Sequence, residues 1–228
     1  MARRIPADRF DALVRAATEV FIERGYHRTQ MSDVAEAVGV AKGTLYGYVE
    51  GKDALLALCL RHADAEGPIP VPDSLPIAHL APGTLRAQVE RALEQEGRQP
   101  RLEAALERPR TDAAAEEMRE VFEELFDLIF RNRHRIKLLD RCLDHPELAG
   151  LWQETGREGS RAAIARYLER AGAAGRIPAP SNPRLAARIA LETITTWALH
   201  IHWDRAPERY DAAEARDEVI DLLVRGFS

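Results

Sequence analysis

The sequence predicts an all-α fold, and three observations support this prediction. Apolar residues recur with the three- and four-residue spacing of a helix in nearly every informative window. Clusters of glycine and proline separate these windows, and no two alternating apolar segments are joined by a hairpin turn. With 228 residues, of which 46% are hydrophobic, the chain is long enough for one or two packed domains.

Four helices are predicted before residue 66. The first carries an apolar stripe along one face and ends near Gly25, where a helix C-terminus favours positive φ. A short second helix ends at Val38, with Thr29 as its N-cap, and two more cover about residues 41–46 and 52–65. The stripe of the first helix consists of Phe10, Leu13, Val14, Ala17, Val20 and Phe21.

Residues 67–83 contain five prolines, a density that excludes a helix interior. We expect an extended or partly disordered connection here, between a first domain at 1–66 and a second at 84–228. In the second domain the pattern predicts helices over residues 84–96, 100–107, 113–131 (capped by Asp112), 136–143, 147–171, 183–203 and 211–227, with a loop at 172–182.

Residues 29–55 read TQMSDVAEAVGVAKGTLYGYVEGKDAL and combine two short helices with a tight turn between them. Gly39 suits the left-handed conformation that such a turn demands. Small aliphatic side chains would pack the two helices together and hold their crossing angle. This arrangement is a helix-turn-helix, whose second helix fits the major groove of B-DNA. The aliphatic residues are Val34, Ala35, Val38, Val40 and Leu45.

The polar residues of this segment suit a DNA contact. Residues 40–49 contain no acid, so we expect a locally positive surface although the whole chain has a net charge of −5. Gly43 permits close approach to the groove, and the N–H groups at the helix start add partial positive charge. A three-helix packing unit without a DNA role explains Gly39 and the aliphatic residues equally well, but it does not require the polar set. That set consists of the cations Lys42 and Lys52 and the hydroxyl donors Thr44, Tyr46 and Tyr48.

This spaced pattern, which covers about residues 8–60, resembles the DNA-binding signature of the TetR family. The matching positions are Phe21, Gly25-Tyr26, Thr29, Asp33, Val34-Ala35, Gly39-Val40, Gly43 to Tyr46, Tyr48-Val49, Lys52 and Leu55. Three residues depart from the family pattern: Ala41 replaces a frequent serine N-cap, Gly47 a larger side chain that reaches DNA, and Gly51 a serine cap. Together they predict a recognition unit that is less rigid before DNA binds.

The resemblance implies a role for each candidate DNA-binding residue. Thr29 and Gln30 would meet the duplex at the start of the second helix, with Thr29 on a phosphate. Lys42, Gly43 and Thr44 would contact the major groove. Tyr46, Tyr48 and Lys52 would clamp the DNA backbone.

The resemblance also implies that a C-terminal helical bundle dimerises through its last two helices and holds a small-molecule pocket. Independently, the predicted helix over 183–203 carries apolar residues on more than one face, and such a helix needs its own core and a second subunit as partners. The alternative is that both helices lie in the core of a monomer. We expect the dimer interface at Leu191, Ile194, Ala198, Ile201, Val219, Leu222 and Leu223.

Six aromatic residues are candidates for lining a ligand pocket, although ordinary core packing explains each one singly: Phe122, Phe126, Phe130, Trp152, Tyr167 and Trp197. No metal or cofactor is expected, because His200 and His202 lie two residues apart on a helix and point to different faces. The acids of 116–127 and the bases of 131–141 indicate a site for an anionic ligand or acidic partner or, as we favour, two solvated faces.

Several classes of protein are disfavoured. An enzyme lacks support because no catalytic triad order, metal-ligand spacing or glycine-rich phosphate loop occurs. No apolar run reaches the roughly 18–20 residues of a membrane span, and Cys59 and Cys142 are expected to be buried free thiols, so we expect a cytoplasmic protein. The sequence favours a ligand-responsive repressor that binds a palindromic operator as a homodimer. The alternative is a DNA-binding activator or architectural protein without a small-molecule effector.

Overall fold

The computed structural model describes residues 7–108, 113–151, 158–205 and 210–228, and these contain eleven α-helices and no β-strand. The all-α prediction is therefore confirmed. A 3₁₀ turn at His200–Trp203 follows the tenth helix. The helices are α1 (Ala7–Arg28), α2 (Met31–Val38), α3 (Lys42–Leu45), α4 (Lys52–His62), α5 (Thr84–Glu96), α6 (Pro100–Glu107), α7 (Ala114–Arg131), α8 (Arg133–Arg141), α9 (Glu158–Ala173), α10 (Pro183–Ala198) and α11 (Ala212–Phe227).

Two of the predicted helices differ from the structure. Within the helix predicted over 147–171, residues 147–150 form turns, because Pro146 and Gly150 interrupt a helical backbone. Leu151 is helical, residues 152–157 lie outside the described residues, and α9 covers Glu158–Ala173. The helix predicted over 183–203 ends at Ala198, where the 3₁₀ turn takes over after Leu199. The expected cap Asp112 lies outside the described residues.

The chain forms two compact units whose boundaries do not follow the order of the sequence. The N-terminal unit combines Met1–Glu94 with His134–Gln153, and the C-terminal unit combines Gln95–Arg133 with Glu154–Ser228. Helices α5 and α8, which we expected in the second domain, thus belong to the N-terminal unit together with α1 to α4. The division of function between residues 1–66 and 84–228 stays a prediction.

Helix α8 is attached to the N-terminal unit at both of its ends. At its start, the carboxylate of Asp64 accepts the backbone N–H groups of His134 and Arg135 at 2.9 and 3.0 Å, and Arg135 Nε donates to the Leu60 carbonyl at 2.9 Å. At its end, the Arg141 guanidinium donates to the carbonyls of Ile22 and Glu23 at 2.8 and 2.9 Å. These contacts provide donors for carbonyls that a helix leaves unpaired near its C-terminus.

Gly25 is required by the same contact between α1 and α8. Its φ of 75° interrupts α1 in the left-handed region, as the sequence predicted. A Cβ atom at this position would also lie 2.8 Å from the carbonyl oxygen of Arg141, which is too close for any side chain. The glycine therefore serves both the end of α1 and the close approach of α8.

Glu147 connects the segment after α8 to the start of α5. Its carboxylate accepts the N–H groups of Gly83 at 2.8 Å and Arg86 at 3.1 Å. Its own N–H donates to His145 Nδ1 at 3.1 Å. The Gly83 hydrogen bond, more than any other cause, lowers the pKa of Glu147 below its ordinary value of 4.5.

In the C-terminal unit, acidic residues of α7 form hydrogen bonds and ion pairs with α6 and α11. Glu124 accepts the N–H groups of Arg101 and Leu102 at the start of α6, and Asp127 pairs with Arg216 of α11 at 2.8 Å. The expected solvated acidic face is therefore only partly present: Glu116 and Glu120 are exposed, whereas Glu124 and Asp127 contact neighbouring elements, which helix periodicity does not reveal. Nearer the core, the buried Glu117 pairs with Arg176 at 2.6 Å and with Arg108 at 3.0 Å.

The two cysteines are buried and free, as expected. Burial raises the pKa of Cys59 and that of Cys142 to about 12, so both thiols stay protonated at neutral pH. In the part of the chain that the structure describes, no helix combines the length and apolarity needed to cross a bilayer.

We predict that Glu147→Gln destabilises the protein in a pH-dependent way. A carboxylate whose folded-state pKa is lowered stabilises the fold above its ordinary pKa of 4.5, and this contribution is lost as pH falls through the folded-state value. Thermal melting should therefore show the largest difference between the variant and the unmodified chain near pH 7, and a shrinking difference below about pH 4. Glu94→Gln, on the exposed side of α5, is the control and should change little at any pH. A pH-independent difference would contradict this account of Glu147.

Candidate nucleic-acid interface

The helix-turn-helix is built by α2, a left-handed glycine and α3. Gly39 has φ 71° and ψ 35°, and its N–H donates to the Glu36 carbonyl at 3.0 Å. The next N–H, of Val40, donates to the Ala35 carbonyl at 2.9 Å, which turns the chain towards α3. Val34 and Leu45 are fully buried and anchor the two helices. The predicted turn at Gly39 is thus confirmed.

The N-cap of α2 is Gln30, one residue after the expected Thr29. The Gln30 N–H donates to the Asp33 carboxylate at 2.8 Å, and Asp33 also pairs with Arg24 at 3.0 Å. Thr29 is unsuited to this role because its hydroxyl donates instead to the Gly25 carbonyl at 2.7 Å. Because α1 is interrupted at Gly25, the Thr29 hydroxyl bonds to the Gly25 carbonyl and does not cap α2.

Five of the eight candidate DNA-binding residues are exposed together around α2 and α3. We call them the α3 surface: Gln30, Lys42, Gly43, Thr44 and Tyr46. Tyr46 is 42% exposed, an unusual value for an aromatic ring. Among the described residues, Lys42 has no ion pair. The α3 surface therefore offers one ammonium, two hydroxyls and one amide to a ligand.

The other three candidates are engaged inside the protein. Thr29 is 1% exposed and Tyr48 is 2% exposed. The Tyr48 ring stacks on Phe10 of α1, with centroids 6.2 Å apart. Burial leaves Thr29 and Tyr48 no surface for a phosphate, so neither belongs to the α3 surface.

Lys52, the third candidate, holds the turn between α1 and α2. Its ammonium donates to the carbonyls of Tyr26 at 2.8 Å and Thr29 at 3.1 Å, and it lies 4.1 Å from the centroid of the Tyr26 ring. An ammonium has three N–H donors, so one is left for a further acceptor. The contact of Lys52 with the DNA backbone stays a prediction.

Helix α3 contributes little through its dipole. It has only four residues, its N-cap Ala41 offers no side-chain hydrogen bond, and Gly43 lies within it. A single turn carries few aligned peptide groups, so the partial charge expected at its start does not support an anion site by itself. Binding by the α3 surface depends on its side chains.

No sequence pattern indicated the group of residues that supports Lys52. The hydroxyl of Tyr26 donates to the carboxylate of Asp53, and the ring of Tyr26 meets that of His145 edge-on, with centroids 4.5 Å apart. Burial is the main cause that raises the pKa of Tyr26 above its ordinary range. His145 is more than 100 residues away in sequence, so no local pattern could have paired it with Tyr26.

The candidate pocket aromatics form separate contacts in the C-terminal unit. Phe122 packs near Phe227 with centroids 6.1 Å apart, and Trp197 near Tyr210 at 5.6 Å. Phe126 stacks on Phe130 at 6.5 Å, and Phe130 also meets His202 at 5.5 Å. Tyr167 is fully buried, and Trp152 lies outside the described residues. Their role as pocket residues stays a prediction.

Most candidate dimer residues face the core of the C-terminal unit. Leu191, Ile194, Ala198, Val219 and Leu223 are buried, Ile201 is half-buried, and only Leu222 is exposed, at 57%. The apolar residues that α10 exposes are instead Leu185 and Ile189. The sequence pattern identified apolar helices correctly but could not distinguish the inner face from the outer one.

We predict that Lys52→Met lowers the melting temperature of the protein by several degrees. The substitution removes the ammonium from the Thr29 carbonyl, leaves the Tyr26 carbonyl with only the 3.3 Å hydrogen bond from the Thr29 N–H, and removes the cation from the Tyr26 ring. We expect a cost of about 1–3 kcal/mol. Lys42→Met is the matched control: the exposed Lys42 makes no comparable contact, so its loss should change stability by less than about 0.5 kcal/mol. Equal melting temperatures for the two variants would refute the structural role of Lys52.

Comparison with known proteins finds a family model that matches the helix-turn-helix region. Residues 13–59 match the family model described as bacterial regulatory proteins, tetR family. The HTH-type transcriptional activator FasR of Mycolicibacterium smegmatis is 43% identical over 63 residues, which are 27% of this chain and 29% of FasR. The sequence match thus spans less than a third of the length of this curated relative.

Two solved structures show that the similarity of fold extends over almost the whole chain. The ketosteroid transcriptional regulator KstR2 of Mycobacterium tuberculosis has a TM-score of 0.60 and 16% identity, and the match covers 99% of this chain and 97% of KstR2. AibR, solved in complex with isovaleryl coenzyme A and operator DNA, has a TM-score of 0.52 and 16% identity, with 95% and 98% covered. Residues 13–59 of this chain thus resemble the tetR family of bacterial regulatory proteins, and its all-helical fold resembles that of KstR2 and AibR.

Proposed function

We propose that this protein is a DNA-binding transcriptional regulator that acts in the cytoplasm. The observation that carries the proposal is the α3 surface, where Lys42, Thr44 and Tyr46 are exposed together on a helix-turn-helix. Residues 40–49 contain no acid, so these groups can approach phosphates without local repulsion. Lys42 and Thr44 would reach base edges or phosphates in the major groove, and Tyr46 would donate to the DNA backbone.

The proposed regulator acts as a homodimer on a palindromic operator. Leu185 and Ile189 of α10 and Leu222 of α11 expose apolar surface that a second copy would cover. In a dimer the two α3 surfaces would meet half-sites about one helical turn apart, roughly 34 Å. The interface proposed here therefore uses the outer faces of α10 and α11.

We also propose that a small-molecule effector changes the affinity of the protein for its operator. AibR was solved with both isovaleryl coenzyme A and operator DNA, so coenzyme A thioesters are the first class to test as effectors. An effector that binds the DNA-free conformation more tightly would release the operator, and a 100-fold change in affinity requires only about 2.7 kcal/mol of coupling.

Two directions of regulation are compatible with the α3 surface: repression and activation. Repression follows if the operator overlaps the promoter and effector binding releases the protein. Activation is the second candidate, because the relative FasR is named as an activator. Both candidates require the same contact between the α3 surface and the duplex.

Footprinting of the DNA upstream of the protein's own gene, followed by fluorescence anisotropy with the protected duplex, tests the proposal. The unmodified chain should protect a palindrome and bind it with two copies per site. Lys42→Ala should raise the Kd about tenfold, because such a contact is worth roughly 1–3 kcal/mol.

The matched control is Arg166→Ala, which removes an exposed cation from α9 in the C-terminal unit. It should leave the Kd nearly unchanged. If both variants weaken binding equally, binding follows overall charge rather than the α3 surface, and absence of any protected palindrome would overturn the proposed function.

A further inference from the structure

The proline-rich segment after α4 is ordered and folds back on the helix-turn-helix. We call residues 67–79 the strap. At its first end, the guanidinium of Arg15 donates to the carbonyls of Ala65 and Gly67 at 3.3 and 3.0 Å. The carboxylate of Asp11, paired with Arg15 at 2.9 Å, accepts the N–H of Ile69 at 3.0 Å. Ile69 itself is almost completely buried. The strap therefore begins as a fixed part of the N-terminal unit.

At its other end the strap pairs with the chain just after α3. The N–H of Ile77 donates to the Tyr48 carbonyl at 2.8 Å, and the N–H of Glu50 donates to the Ile77 carbonyl at 2.9 Å. The N–H of His79 donates to the Glu50 carboxylate at 2.9 Å. Three hydrogen bonds thus connect the strap to residues 48–50.

The segment that the strap holds is intrinsically weak. Helix α3 is one turn long and lacks a side-chain cap, and Gly47 and Gly51 lie between it and α4. Glycine loses more conformational entropy on ordering than any other residue, so this segment needs external support. The imidazole of His79 fills the space beside Gly51, where a Cβ atom would lie 2.6 Å from Cε1 of the ring.

We propose that Ile77 and His79 are positioning residues that hold the α3 surface in the orientation that binds DNA. The strap would restrain residues 48–51 in the free protein, and through them the orientation of α3. Restraint before binding lowers the entropy cost of the complex. The proposal rests on the proposed function, because it concerns the same DNA contact.

The composition of the strap argues against a direct contact with phosphates. Residues 67–79 contain no lysine or arginine, and their ionisable side chains are Asp73 and His79. A segment that bound the duplex itself would be expected to carry cations, because phosphate contacts dominate affinity for DNA. The role inferred for the strap is therefore to position α3.

Proline substitutions along the strap test this role. Ile77→Pro removes the N–H that donates to Tyr48. Ala78→Pro is the matched control, because no hydrogen bond from the Ala78 N–H is found in the described residues. His79→Ala, which empties the space beside Gly51, is a second variant that keeps the test decisive if Ile77→Pro does not fold.

Two measurements are made on each variant. In the free chain, the amide hydrogen of Glu50 should exchange about tenfold faster in Ile77→Pro and in His79→Ala than in the control. With the duplex identified by footprinting, both variants should bind about tenfold more weakly. The slope of log K against log salt concentration should stay unchanged, because the bound state keeps the same phosphate contacts.

The outcomes distinguish a failure of the positioning role from a failure of the proposed function. Unchanged exchange, or faster exchange with unchanged affinity, overturns the positioning role. A smaller salt slope overturns it in favour of a strap that touches phosphates. If the unmodified chain binds no duplex, the proposed function fails, and the positioning role fails with it.

Discussion

The interruption of α1 at Gly25 is the constraint on which the helix-turn-helix depends. The C-terminal end of a helix leaves carbonyl groups without hydrogen-bond donors. At the interruption of α1, two cations donate to such carbonyls. Lys52 donates to the carbonyls of Tyr26 and Thr29, and Arg141 donates to those of Ile22 and Glu23. The start of α4 and the end of α8 therefore meet at the point where α1 turns into α2.

Helix α8 belongs to the N-terminal unit, although the residues just before it in sequence belong to the C-terminal unit. The chain leaves the N-terminal unit after Glu94 and returns to it at His134, so α8 follows directly from the C-terminal unit in sequence. Its two ends are bonded to the C-terminal ends of α4 and α1.

The sequence predicted features that depend on local geometry and missed those that depend on distant partners. Gly25 and Gly39 were identified because a left-handed backbone favours glycine, and the bounds of α5 follow from its own residues. Tyr48 was wrongly expected to be exposed, because the ring that covers it lies on α1. The internal hydrogen bonds of Lys52 were not foreseen, because their acceptors lie at the α1–α2 turn. Residues 67–83 were expected to be an extended or partly disordered connection, since periodicity cannot reveal a backbone hydrogen bond such as that of Ile77 with Tyr48.

In the proposed regulator, Lys42 binds DNA, whereas Lys52 primarily stabilises the fold. The chain has three lysines, so acetylation with mass spectrometry, with and without the operator duplex, reads each amine separately, and the half-buried Lys137 is the internal reference. Lys42 should react fastest in the free protein and become protected by the duplex, while Lys52 should react slowly in both states. Rapid acetylation of Lys52 in the free protein, or no protection of Lys42 by a duplex that binds, would contradict the account.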